Sequence, residues 1–273
     1  MRPSVVFRGG EFVVGVSPFD RSFNLGDGLF ETIKVAGGRA VWMEEHLQRL
    51  YGSAKYAGIA CPLGKRDVSD ACGDFIAKEK ISEGWLRLTL SRGEAKTGRF
   101  SEVPEAGVLA IIGGDAETPA SPLRAGFAGW RVNETDPAVS HKTTSRFSSV
   151  MAWKAAAGKG LEELVFLNTN GWVAEGIVSN VFWHKGGVLF TPSEKCGMLP
   201  GVARAKVMAA AKTLGIRAEV GEYPADALTE ADGVFFSNSL WVVRFCGEFC
   251  AKTFSEADDG VFPFLRDFML GLI

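Results

Sequence analysis

Only three histidines occur in the 273 residues, His46, His141 and His184, and none lies at metal-ligand spacing from another or from a cysteine. That scarcity leaves little room for a zinc site or an H-E-x-x-H hydrolase, and no bound metal is expected. The five cysteines (Cys61, Cys72, Cys196, Cys246, Cys250) form an odd set without a C-x-x-C pair. Such a set reads as free thiols of a reducing compartment. An excess of either charge is missing too. Thirty Lys and Arg stand against 32 Asp and Glu, for a net charge of −2, so no electrostatic footprint for nucleic acid or anionic lipid is present. No apolar run approaches the roughly 18 residues of a membrane span, and Arg8 and Glu11 interrupt the opening residues before a signal-peptide core develops. A cytoplasmic chain with no anchor is the expectation. Also absent are a G-x-x-x-x-G-K-[ST] loop, a G-x-G-x-x-G turn opening a helix and a G-x-S-x-G elbow, which disfavours nucleotide cradles and serine hydrolases.

What is present is an ordinary globular composition, 47% hydrophobic and 23% charged, in a length that suits one large or two medium domains. Short β-rich runs at Val5 to Phe7 and Phe12 to Val16 flank Gly9-Gly10, and Gly37-Gly38 sits between two further runs as a hairpin would. From Glu44 to Ala57, Leu47, Leu50, Tyr51 and Ala54 recur at helical spacing behind acids in the first turn. A second helix is predicted over about Asp67 to Lys80, and the alternation in WLRLTLS predicts a half-buried strand from Trp85 to Ser91. Strands at Val108 to Ile112 and Phe127 to Val132 follow. Between them, Pro104 to Leu123 is rich in turn formers, including Pro119 and Pro122, and suggests domains of 1–118 and 119–273. Beyond it the pattern predicts a helix at Thr144 to Ala157, strands at Leu164 to Leu167 and Val178 to Trp183, and a helix at Val202 to Leu214 after Pro200-Gly201. Strands and helices do not alternate strictly, so an α+β chain is expected, each domain a mixed or barrel-like sheet with flanking helices.

Six segments, in this order, carry a resemblance: SPFDRSFNLGDGLFET at 17–32, EEHLQRL at 44–50, SHKTTSRFSSVMAWKAA at 140–156, AEGIVSNVFW at 174–183, GMLPGVARAKV at 197–207 and FFSNSL at 235–240. Together they resemble the class-IV aminotransferases, the fold-type IV pyridoxal-phosphate enzymes, along nearly the whole chain. The resemblance implies that Lys142 binds pyridoxal 5'-phosphate through its ε-amine and acts as general base when its amine is neutral and free. It implies that Glu175 pairs with the pyridine nitrogen and keeps the ring an electron acceptor; the residue also reads as a turn acid following Asn170-Gly171. Val173, Ala174, Ile177 and Val178 around it suggest a buried strand end. Phosphate is assigned to Arg49, to the backbone amides of Val202 and Ala203 and to Ser239. Arg49 equally suits a helix-surface ion pair with Glu45 four residues earlier. Leu199 is the residue for the ring face or a core leucine. Where many relatives carry threonine, Ala203 leaves only its amide.

The branch of the family decides the reaction. Phe147 stands where branched-chain aminotransferases carry a tyrosine five residues after the lysine, and no histidine occurs between His46 and His141 for the substrate carboxylate of the D-amino-acid branch. Overall length, the SRG of SRGEAKTGRFS at 91–101 and the AEGIVSNVFW block resemble the aminodeoxychorismate lyases, which convert 4-amino-4-deoxychorismate to 4-aminobenzoate and pyruvate in folate precursor synthesis. The alternative is an aminotransferase acting on D-amino acids or branched-chain L-amino acids. A dicarboxylate substrate calls for arginines, with Arg92 and Arg99 the candidates, and for Asn238 as a polar contact; each has a bland reading, as loop charges or a turn cap. The resemblance also implies a homodimer. The apolar stretch VFPFLRDFMLGLI suits either its interface or a core helix.

Overall fold

Leu47, Leu50 and Ala54, the apolar stripe that defines the helix over residues 44–57, are buried in a computed structural model of the chain. The structure describes residues 4–13, 15–97, 99–116 and 122–273. They divide into two units, one made of the described residues of 1–117 with His141–Arg146, the other of the described residues of 118–140 with Phe147–Ile273. The expected boundary at 118, and Pro119 with it, lies outside the described residues.

The first unit runs β1 (Ser4–Arg8), β2 (Glu11–Val13), α1 (Arg21–Leu25), β3 (Gly28–Ala36), β4 (Arg39–Ala40), α2 (Met43–Ala57), α3 (Lys65–Glu79), β5 (Gly84–Ser91) and β6 (Val108–Asp115). Its sheet has the order β2-β1-β6-β5-β3-β4. Every pairing in it is antiparallel, where a mixed sheet was an open expectation. Alternation sorts β5 into two faces: Leu86, Leu88 and Leu90 are buried in the core with Leu47, Leu50, Val68 and Phe75 of the two helices, while Trp85, Arg87 and Thr89 take the opposite face. Each fully buried leucine contributes on the order of 2 kcal/mol. Gly58, at φ 65°, closes α2 in the left-handed conformation that glycine adopts without penalty.

The second unit runs β7 (Leu123–Phe127), α4 (Phe147–Ala157), β8 (Glu163–Leu167), β9 (Val173–Gly176), β10 (Asn180–Lys185), β11 (Val188–Pro192), α5 (Val202–Thr213), β12 (Ala218–Gly221), α6 (Asp226–Thr229), β13 (Gly233–Asn238), β14 (Val242–Phe249), β15 (Lys252–Thr253) and α7 (Phe262–Leu270). Its sheet is mixed, in the order β12-β11-β10-β13-β14-β7-β8-β9 with β15 on β14. The strand predicted at Phe127 to Val132 lies earlier, because Leu123 and Ala125 are the buried positions that pair in parallel with β14 and β8. After Phe127 only Val132 makes a bridge, to Asn168. The helix predicted from Thr144 starts at Phe147, since Thr143 and Thr144 are bound to β3. The C-terminal apolar stretch is a core helix of this unit: α7 buries Phe262, Leu265 and Met269, and Phe262 packs on Phe235 and Phe245. No helix among the described residues is long and apolar enough to cross a membrane.

Candidate functional site

Lys142 owes its position to β3. The Phe30 N–H donates to the Lys142 carbonyl at 2.8 Å, and Thr144 donates to the Gly28 carbonyl at 2.9 Å, so residues 142–144 run beside the strand as an extra edge. Helix α2 fixes the preceding residue, with Ser53 Oγ 2.9 Å from His141 Nδ1 and the Tyr56 ring stacked 4.4 Å from the imidazole. Lys142 Nζ then stands 4.5 Å from the centroid of the Phe30 ring. The same ring carries a second cation, the Arg87 guanidinium at 3.8 Å. Burial holds Arg87 below the usual arginine range, and the charge of Arg146 adds to that. Arg87, half-buried, makes no ion pair among the described residues. Sequence reasoning missed this arginine because the polar positions of an alternating strand read as solvent-facing, and the face of β5 opposite the helices holds Phe30 and Arg87 in contact instead.

Arg49 lies on α2 and forks onto Glu31 of β3, Nε to Oε1 at 2.8 Å and Nη2 to Oε2 at 2.6 Å. The carboxylate these two atoms reach is Glu31, 18 residues away. His46 Nδ1 is 2.8 Å from the same Oε2, while its Nε2 is buried with no hydrogen-bond partner among the described residues. Burial alone would raise the Glu31 carboxyl, yet the hydrogen bonds and charges of Arg49 and His46 hold it down at about 2.

Arg92 has structural work. Its Nε bonds Asp27 at 2.7 Å and its two terminal nitrogens reach the Gly58 and Ala57 carbonyls at the end of α2. Arg21 binds the same Asp27, and Ser91 Oγ donates to Asp20 at 2.7 Å, so the SRG segment is a structural knot. A guanidinium so committed is a poor carboxylate reader. The Arg99 side chain is exposed, and its carbonyl accepts from Arg21.

In the second unit, two of the assigned residues, Glu175 and Leu199, meet, with Asn180 beside them. Glu175, at the end of β9, accepts the Leu199 N–H on Oε2 at 2.8 Å. Asn180, at the start of β10, donates to the Leu199 carbonyl at 2.9 Å. Leu199 is thus held at both backbone ends and only half-buried, unlike a core leucine. Of the apolar residues around Glu175, Val173, Ala174 and Ile177 are buried, whereas Val178 is 53% exposed and precedes β10. Gly201 caps α5 with no side-chain hydrogen bond, and a Cβ there would fall 2.0 Å from Asn180 Oδ1. As N-cap, Gly201 brings no side chain to the first-turn amides of Val202 and Ala203. Ser239 lies half-buried in the turn between β13 and β14. Asn238 Oδ1 accepts from Leu240 and Trp241, so its carbonyl end serves the turn. Val242, closing that turn, has φ 65°, a strained value for a β-branched residue and of a kind that gathers at functional sites. Ser237, the cross-strand partner of Asn180, has a buried hydroxyl with no hydrogen-bond partner among the described residues.

Comparison with known proteins places the chain. The profile of amino-transferase class IV matches residues 28–249. The aminodeoxychorismate lyase of Bacillus subtilis is 28% identical over 229 residues, 82% of this chain and 78% of that one. A candidate branched-chain-amino-acid aminotransferase of Methanocaldococcus jannaschii is 32% identical over 251 residues, 86% of this chain and 84% of its own. Among solved structures, a candidate 4-amino-4-deoxychorismate lyase of Legionella pneumophila superposes with a TM-score of 0.91 at 24% identity, covering 96% of both chains. A branched-chain aminotransferase solved with pyridoxamine 5'-phosphate gives 0.88 at 20% identity over 99% of this chain and 94% of that one. The α+β architecture with two curled sheets and flanking helices is that of the fold-type IV enzymes.

Proposed function

Because the chain belongs to amino-transferase class IV, we propose that it is an aminodeoxychorismate lyase, releasing 4-aminobenzoate and pyruvate from 4-amino-4-deoxychorismate. Its cofactor is pyridoxal 5'-phosphate. The second unit's donors fit that group: a helix start whose cap residue brings no side-chain hydrogen bond suits a phosphate, and a carboxylate anchored on a backbone amide suits a protonated ring nitrogen. Arg49, Val202, Ala203 and Ser239 are the phosphate residues, Glu175 serves the ring nitrogen, Leu199 the ring face and Lys142 the covalent attachment.

When bound, the cofactor supplies an electron-accepting ring that holds the charge left on a deprotonated substrate. Lys142 Nζ removes the proton from the amine-bearing ring carbon. The neighbouring carbon–oxygen bond then breaks, the ring becomes aromatic, and the departing enolpyruvate takes a proton on its methylene carbon to become pyruvate. The observation that carries the reading is that Lys142 and Arg87 both lie against the Phe30 ring, with the charge of Arg146 acting on Arg87. Guanidiniums beside the reacting lysine suit a substrate with two carboxylates, and in this reading Arg87 and Arg146 take the role that the sequence assigned to Arg92 and Arg99. Asn238 keeps its amide end for the substrate. Replacing Arg87 with glutamine is expected to raise KM by about 10- to 100-fold with a smaller change in kcat, as loss of a charged hydrogen-bond partner implies; steady-state kinetics check it.

An aminotransferase stays the second reading, favoured by the 32% identity to the Methanocaldococcus protein. Turnover of aminodeoxychorismate as sole substrate decides between them. Both products appearing without a keto acid establish the lyase. A coloured preparation that makes neither, yet transfers an amino group from a D- or branched-chain L-amino acid to 2-oxoglutarate, establishes the other.

A cytoplasmic homodimer completes the proposal. Helix α4 supports the dimer, since Phe147, Val150, Met151 and Trp153 leave a largely apolar face exposed, with Phe147 at 78%. Light scattering is expected to give twice the 29.3 kDa chain mass, and Val150→Glu to shift the protein toward monomer.

A further inference from the structure

Glu163 opens β8 with a fully buried side chain and no ion pair among the described residues. Its carboxyl is surrounded by donors from a single turn. Ile177 N–H reaches Oε1 at 2.6 Å, Ser179 Oγ reaches Oε2 at 2.7 Å, and the Val178 N–H adds a third. The Leu164 N–H, at 3.1 Å, belongs to its own strand. Gly176 opens this turn, and its N–H bonds the Ser179 carbonyl at 2.7 Å. A Cβ on Gly176 would fall 2.3 Å from Ser179 Oγ and 2.9 Å from the Glu163 carboxyl carbon, so the turn is closed tightly around the acid. The two residues flanking it are Glu175 and Asn180, which hold the N–H and the C=O of Leu199.

We propose that Glu163 is a positioning residue: by gathering the 176–179 turn it sets the spacing at which Glu175 and Asn180 grip Leu199, and so fixes the Glu175 carboxylate and the Leu199 side chain for the cofactor. The cofactor half of this statement rests on the roles proposed above for Glu175 and Leu199. A structural acid with no such role would be replaceable by an apolar residue of similar volume at little cost, because an uncharged filler avoids burying a carboxyl. Here the filler removes the shared acceptor of three turn donors. Burial pushes the Glu163 carboxyl up to about 7. Glutamine keeps the volume and an acceptor oxygen for the backbone donors, and its amide N–H donates to a Ser179 hydroxyl turned to accept.

Hydrogen exchange on the cofactor-free full chain tests the clamp. Glu163→Met is expected to speed exchange about tenfold or more in peptides covering 176–180 and 198–200 while β5 and α3 keep their rates, and Glu163→Gln to restore wild-type protection. Uniform acceleration across the second unit, or acceleration near 163 with 198–200 unchanged, would overturn the proposal. Should Glu163→Met fail to fold, Ser179→Ala removes one donor and leaves the acid in place: faster exchange at 198–200 supports the clamp, and unchanged exchange there refutes it. In loaded protein, the pH midpoint of the cofactor's visible band is expected to move in the methionine variant and to return in the glutamine variant. Altered exchange without a moved midpoint would uphold the clamp and overturn the assignment of Glu175 to the ring nitrogen.

Discussion

Lys142→Ala is expected to lower release of 4-aminobenzoate and pyruvate by about four orders of magnitude, the upper range for a lost general base, with the fold intact. The second half of that expectation follows from how the residue is held. Its carbonyl, not its side chain, accepts from Phe30, and Thr144 bonds Gly28 through the backbone, so alanine keeps the edge beside β3. The first half follows from what the amine does there. Nζ is the atom of residue 142 that takes a proton, and it stands 4.5 Å from the centroid of the Phe30 ring. Nothing in alanine replaces that function, and a small soluble amine restores rate only by diffusing to the same place. Turnover of loaded protein, read beside a thermal melt, checks both halves: a melt within about 1 kcal/mol of wild type with products gone supports the role. Products persisting at more than about a hundredth of the wild-type rate would remove Lys142 from the chemistry.

Much of the scaffold that holds this lysine was legible from period alone. Leu47, Leu50 and Ala54 announced α2, and alternation announced β5, because both elements bury one face against a single core and the pattern records that face. The strand at Leu123–Phe127 was misplaced because it lies inside the second sheet between β14 and β8, and its Gly126 and Arg124 break both alternation and apolar continuity. Within the candidate site, residues carried by motifs were findable, yet their partners were not. Glu31 lies 18 residues from Arg49 and Glu163 lies 16 from Ser179, separations closed by the packing of α2 on β3 in the first case and by the β8–β9 pairing in the second. Arg92 shows the opposite case, a motif residue whose side chain is bonded to the surrounding scaffold. Its SRG triplet matched a familiar segment, and the reason is local architecture: the arginine ties Asp27 to the end of α2. A motif match preserves whatever a residue does, including holding a turn.

Glu31→Ala is expected to destabilise the protein by about 3–5 kcal/mol, the cost of removing one partner from a buried ion pair. The carboxylate is 1% exposed and accepts from Arg49 Nε and Nη2 with His46 beside it, so its loss takes that buried acceptor from the guanidinium and the imidazole. Glu31→Gln retains the shape and isolates the charge. In the folded chain the carboxyl sits at about 2, against 4.5 for an ordinary glutamate. A group depressed in this way contributes stability that is complete above the unfolded value and is lost as pH falls through the folded one. Its share is on the order of 3 kcal/mol, disappearing between roughly pH 4.5 and pH 2. The wild-type curve of urea midpoint against pH should therefore fall more steeply than the Glu31→Gln curve in that window, the other carboxylates being common to both. Glu163 contributes the opposite slope. Its carboxyl is raised to about 7, so the folded chain keeps a proton the unfolded chain has released, and its share of stability falls as pH rises from about 4.5 toward 7. Glu163→Gln should flatten that upper window and leave the acid limb alone. Two parallel curves for wild type and Glu31→Gln below about pH 4.5 would show that Arg49 does not depend on Glu31 for its charge balance, and would free that arginine from the scaffold on which its phosphate role is argued.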